Sequence, residues 1–235
     1  MMNRKVSFPL TLPRLIHYRP FMAIFGLLLA VIEPGPVNAQ LTLDGTNCVI
    51  FADMFDGEIV RCVARRHDGS TLKISLIGKR PNRITRIELS INGLPPFQTL
   101  NVVAEPTIDH QNIGLLITDM NFDKLVDFAV MEFAGAGPNT QYLYFLFHAD
   151  TGKFEASPAL SKITAPTFDA LNGTITSRWR DSATRTGQDS YVWHNDKLKL
   201  VERTERTDEG AQCLIRTYKD QNGKLELVKS AGCAD

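Results

Sequence analysis

Asp119, Asn121, Asp123 and Asp127 lie in one short run, Asp119-Met-Asn-Phe-Asp-Lys-Leu-Val-Asp127, and all four carry side-chain oxygens. Positions 1, 3, 5 and 9 of a calcium loop require these residue types, and position 7, here Leu125, donates its backbone carbonyl. The spacing therefore predicts a Ca2+ site at Asp119, Asn121, Asp123, Leu125 and Asp127. Three carboxylates drawn to within ~5 Å repel by about 3 kcal/mol per pair at an effective dielectric near 20, and a divalent ion removes that cost. Two positions depart from the pattern. Lys124 stands sixth, where the sharp turn favours glycine, and Val130 stands twelfth, where an EF-hand carries a bidentate Glu.

The apolar runs on either side, 113–117 and 128–133, are too short for EF-hand helices, so the metal turn is expected between two strands. A small-residue loop, Gly135-Ala-Gly-Pro-Asn-Thr-Gln-Tyr142, follows directly and leads into Tyr144, Phe145 and Phe147. Tyr142, at the loop–strand junction, is expected to present an exposed ring of the kind that anchors protein interfaces. The polar stretch 180–190 reads as a second surface loop.

Further short runs rich in β-branched and aromatic residues recur between turn signals at 58–65, 72–77, 84–91, 99–104, 114–118, 126–133, 141–147, 174–179, 190–193, 198–203, 213–218 and 224–229. They predict an all-β fold of antiparallel strands, in a sandwich or propeller-like arrangement. One helical turn is expected within 157–163, with Pro166 beyond its end. Residues 40–105 form an N-terminal β region and 106–235 a calcium-loop β region, either as two lobes or as one domain.

The first 39 residues read as a signal peptide. Arg4, Lys5, Arg14 and Arg19 precede an uncharged stretch of about twelve residues, short of the roughly twenty needed to span a bilayer. Val37-Asn38-Ala39 then supplies a small-residue cleavage site, so the mature chain is expected to begin near Gln40, periplasmic or secreted, with no stable membrane span. Without the four basic residues and Glu33 of that segment, acidic residues outnumber basic ones by three, which does not favour a nucleic-acid partner. All four cysteines lie beyond it, and an even count in an exported chain predicts two disulfides. Turns near Phe55 and at Gln221-Asn222-Gly223 favour pairing Cys48 with Cys62 and Cys213 with Cys233. Neither pair has the close spacing of a zinc knuckle.

No catalytic residues are assigned, and the chain is not expected to be an enzyme. Ser70-Thr-Leu-Lys73 has the spacing of a penicillin-recognising Ser-Lys pair, but no Ser-Asp-Asn or Lys-Thr-Gly accompanies it. His67, His110, His148 and His194 are scattered near turns, where a solvated role is expected. Paired carboxylates for glycoside hydrolysis meet only in the fold, so a buried pair away from the metal loop would point to an enzyme.

Residues 112–203 resemble a group of exported bacterial proteins. The resemblance rests on Asp119 to Asp127, the Gly135 to Phe147 loop and strand, Thr151-Gly-Lys-Phe-Glu155, Asn172-Gly-Thr-Ile-Thr-Ser177, and the Tyr191-x-Trp193 to Leu198-x-Leu200 hairpin. The group includes periplasmic immunity proteins that neutralise lysozyme-like effectors of an antibacterial type IV secretion system, and it is similar to I-type lysozyme inhibitors. The calcium loop also occurs in FG-GAP propeller repeats. What the resemblance implies is a Ca2+-binding β-protein that plugs the cleft of a lysozyme-like peptidoglycan hydrolase with Tyr142, flanked by Asn139 and Thr140. A non-inhibitory envelope binding module of the FG-GAP type is the alternative, and an envelope hydrolase a third.

Overall fold

The structure, a computed structural model, describes residues 39–43, 46–51, 57–79, 83–108, 112–135, 137–210 and 212–233. The signal peptide and its cleavage site thus lie outside the described residues, apart from Ala39. Among the described residues no helix is long and apolar enough to cross a membrane.

The fold is all-β, with three antiparallel sheets in which neighbouring strands are successive in the chain. The first runs β1 (Ala39–Leu43), β2 (Thr46–Ile50), β3 (Gly57–Arg65), β4 (Thr71–Lys79), β5 (Arg83–Ile91) and β6 (Gln98–Ala104). The second holds β7 (Leu115–Thr118), β8 (Asp127–Phe133), β9 (Gln141–His148) and β10 (Lys153–Ala156). The third follows a single 3-10 turn, Leu160–Lys162, and comprises β11 (Pro166–Asp169), β12 (Thr174–Arg180), β13 (Arg185–His194), β14 (Lys197–Glu209), β15 (Gln212–Gln221) and β16 (Lys224–Gly232).

Period-2 patterning explains the first sheet: Leu72, Ile74 and Leu76 of β4 turn to the core, as do Ile87 and Leu89 of β5. The middle sheet is buried on both faces, which is why β8 reads as an unbroken apolar run. Phe128 and Val130, with Phe145 and Phe147 of β9, join the core cluster of the first sheet. Ala129, Tyr144 and Leu146 join a second cluster with Leu160, Ile163 and Ile175. In the first cluster the Phe128 ring lies 5.0 Å from Phe145 and 5.0 Å from Phe154.

Carboxamide side chains join the layers. Gln98 of β6 donates to the Phe154 carbonyl at 2.7 Å and accepts from the Phe154 amide at 2.8 Å. Asn139 does the same with Arg180, donating to its carbonyl at 2.7 Å and accepting from its amide at 2.8 Å. Each amide side chain thus stands in for a peptide group, satisfying backbone atoms that no strand reaches.

Both disulfides pair as expected, Cys48 with Cys62 and Cys213 with Cys233. Cys48 and Cys62 face each other directly across β2 and β3. Asn222 and Gly223 make the two-residue turn between β15 and β16, at φ of 54° and 90°. Positive φ at both places suits the twist of a tight hairpin.

Several sequence expectations are corrected. Sixteen strands are present among the described residues where twelve were expected. β10 and β11 are only four residues long, and β11 begins at Pro166, which an edge strand tolerates because its ring nitrogen need not donate. The expected loop at 180–190 is half strand, since β13 begins at Arg185.

Candidate functional site

The turn that carries Asp119, Asn121, Asp123 and Asp127 joins β7 to β8, and the four side chains shape its backbone. Asp119 accepts from the amides of Asp123 at 3.1 Å and Lys124 at 2.8 Å. Asn121 Oδ1 accepts from the Asp123 amide at 3.3 Å, and Asp123 Oδ1 from the Leu125 amide at 2.8 Å. The chain curls round these oxygens with Phe122 at φ 63° and Lys124 at φ 71°. Lys124 therefore adopts the left-handed conformation that glycine would take freely, at a cost of about 1 kcal/mol. The missing glycine changes the energy of the turn, not its path.

Asp127, 0 % exposed, is the innermost of the set. Its Oδ2 accepts from the Met120 amide and its Oδ1 from the Phe147 amide, both at 2.8 Å. One carboxyl thus ties the start of the turn to the far end of β9. Burial raises its pKa to about 7, aided by the charges of Asp123 and Asp119 and opposed by the two amides. From the other side, Trp193 Nε1 donates to the Met120 carbonyl at 2.9 Å.

The donor set fits a hard cation in chemistry: each carboxylate oxygen engaged by one amide keeps a second lone pair. Asp119, Asp123 and Asp127 are not, however, drawn to within 4.8 Å of one another in this structure. Among the described residues, the group of three metal-ligand types that close is Asp208, Cys213 and Cys233. Its sulfurs are tied up in the disulfide and are no thiolate ligands.

The loop after β8 departs from expectation. Tyr142 is half-buried and packs against the second core cluster, its ring centroid 6.0 Å from that of Tyr144, and burial raises its pKa. As the second residue of β9 it belongs to the sheet, so its ring covers the core edge where an open anchor was expected. Asn139 is engaged by Arg180, and the Thr140 carbonyl accepts from the Ala165 amide at 2.9 Å. The open surface here comes instead from Phe133, 58 % exposed, with Ala134, Gly137 and Gln141.

Ser70 closes a turn by donating through its amide and hydroxyl to Asp68 Oδ1. His67, His148 and His194 are exposed, and His110 lies outside the described residues.

A second polar cluster was missed in the sequence. Asp189 and Glu205, both buried, lie on β13 and β14 of the third sheet. Arg203 donates to both Asp189 oxygens at 2.7 Å, and Arg185 to Glu205 at 2.8 Å. The partners are far apart in sequence, and only the hairpin register, Asp189 opposite Arg203, brings them together. Alternating opposite charges at the expected registers would have been the only signal.

No family model and no curated protein matches the sequence. A solved structure described as a Xanthomonas type IV secretion system related protein superposes with a TM-score of 0.48, covering 82 % of this chain and 93 % of that chain at 17 % identity.

Proposed function

We propose that this is an exported, non-enzymatic protein that inhibits a lysozyme-like peptidoglycan hydrolase, with the 134–141 loop as its contact. A calcium ion held by Asp119, Asn121, Asp123, the Leu125 carbonyl and Asp127 would neutralise the carboxylates and fix the turn behind that loop. The observation that supports this best is the two-way bond between Asn139 and the Arg180 backbone. It fixes Asn139 against Arg180, so docking into a cleft need not freeze that side chain, and pre-organised groups lose the least on binding. Asp127 adds a mechanical link, because it bonds the amide of Phe147 on β9 while opening β8 itself. Those two strands carry the loop between them.

Residue roles follow. Asn139 positions the loop, Thr140 ties it to Ala165, Tyr142 supports it from beneath, and Phe133 offers the apolar surface a partner would cover. The two disulfides suit an oxidising compartment. Asp189 and Glu205 are buried carboxylates that anchor ion pairs, Asp189 through both oxygens to Arg203 and Glu205 through Oε2 to Arg185.

The mature chain is to be titrated in peptidoglycan-clearing assays against c-, g- and i-type lysozymes and any lysozyme-like protein encoded beside its gene. Inhibition of at least one is expected, weakened about ten-fold by Phe133→Ala or Asn139→Ala, roughly the worth of one good contact. Chelator should weaken it as well. If no hydrolase is slowed, the inhibitor reading falls; if both variants inhibit like the parent, the loop is not the contact.

A further inference from the structure

Beside the Asn139 clamp, and separate from the metal turn, a cleft of about 530 Å³ opens on the face of the third sheet. Trp179 of β12, Arg185 and Asp189 of β13 and Arg203 of β14 form its wall, with Gln141 and Lys162 on the rim. Ion pairs and a hydroxyl bond hold its wall. Arg203 grips Asp189 with two bonds of 2.7 Å, and the Tyr191 hydroxyl donates to the same carboxylate at 3.2 Å. Arg185 bridges Glu205 at 2.8 Å and Asp181 at 3.1 Å.

The indole of Trp179 lies between these forks, 5.4 Å from the Arg203 guanidinium and 5.7 Å from that of Arg185. It packs closely on Gly187 of β13, where a Cβ would sit 2.2 Å from the ring. Glycine in a strand interior is unfavourable in itself and marks a place where something must approach closely. Here the approach is that of the ring. The indole N–H is buried and has no hydrogen-bond partner among the described residues.

Charge decides the class of ligand. Lys162, Arg185 and Arg203 are balanced by Asp181, Asp189 and Glu205, so the cluster has no net charge with which to draw in an ion. What it offers is a set of oriented donors and acceptors beside an aromatic ring. A guanidinium has five N–H donors, and Arg203 commits two of them to Asp189. A ligand that matches is neutral, carries many hydroxyl or amide groups, and has an apolar C–H face to lay against the ring. We infer that the cleft is a binding site for a neutral oligosaccharide.

The inference can fail independently of the inhibitor reading, since its test contains no hydrolase. The mature protein, labelled with 15N, is titrated with chitotriose and with maltotriose to millimolar concentrations. The Trp179 indole signal should move saturably with at least one sugar. Trp193, the other tryptophan, has its N–H bonded to Met120, and its signal should stay. Trp179→Phe, which shrinks the aromatic surface offered to the sugar, should weaken binding several-fold, and Gln141→Ala on the open rim by a smaller factor. Affinity should be nearly the same at low and high salt, because no charge is neutralised. An unmoved Trp179 signal with both sugars would overturn the assignment. So would displacement of the sugar by a polyglutamate peptide at low salt alone, which would make the cleft an anion site.

Discussion

A single buried carboxyl, that of Asp127, couples the β7–β8 turn to the sheet. Asp127 has a pKa raised to about 7 by burial, whereas in the unfolded chain it returns to the usual carboxylate value of 3.8. Folding therefore favours its protonated form. The stability this contributes is complete below about pH 4 and is lost as pH rises through 7, a loss of roughly 3–4 kcal/mol. In chelator the mature protein should melt at a lower temperature at about pH 8 than at about pH 5. Asp127→Asn keeps an acceptor and never ionises, so it should remove most of that difference. Calcium should reverse the trend, because the cation stabilises the ionised carboxyl. A parent and an Asn variant with parallel profiles in chelator would show that Asp127 does not titrate as its surroundings require. The ligand types were legible in the sequence because they repeat at fixed short spacing. The burial of Asp127 was not, since it depends on Phe147 and Trp193 arriving from distant strands.

At the scale of elements, the two disulfides are alike in sequence and unlike in setting. Cys48 and Cys62 are 0 % exposed and belong to the first core cluster. Cys213 and Cys233 close a hairpin in which β16 has exposed residues at nearly every position. Replacing Cys48 and Cys62 by Ala should lower the global melting temperature strongly, at about 2–5 kcal/mol for a disulfide of this kind. Replacing Cys213 and Cys233 should instead fray β15 and β16 locally. Hydrogen exchange would then accelerate at 212–233 while the rest of the chain stays protected. An equal loss of global stability from both pairs would contradict this division. Both pairings were readable from hairpin geometry, because a cysteine on each side of one turn is a local signal. The links between sheets were not. Gln98 with Phe154 and Asn139 with Arg180 join side chains to backbone groups remote in sequence, and nothing in composition marks a carboxamide that will replace a peptide group. Tyr142 was misjudged for a related reason. Where a loop ends and a strand begins decides whether a ring is open or covered, and β9 begins one residue before it, at Gln141.

The whole molecule depends on the middle sheet. Its inner strands give alternate residues to two cores, Phe128 and Val130 to one and Ala129 to the other. Residues up to Ala104 therefore share a core with residues from Ile113 onward. Beyond β6 the chain stays attached, since the Glu105 amide donates to the Glu132 carbonyl at 2.8 Å. The expected boundary between residues 105 and 106 falls where the chain passes from the first sheet to the second. A fragment ending at Ala104 would leave Ile74, Leu76, Ile87 and Leu89 without the phenylalanines that cover them, each exposed side chain forfeiting about 1.5–3 kcal/mol. Such a fragment has about 65 residues after signal removal, a size at which one face of a single sheet does not supply a stable core. The fragment 40–104 should thus lack dispersed amide signals and a cooperative melt, whereas 40–235 should unfold in one main transition. If the short fragment instead melts cooperatively on its own, the first sheet is a separate lobe. Metal removal could then be felt only beyond residue 105, whereas a shared core lets the loss of order at the turn reach β3 to β6 through Phe128 and Phe145.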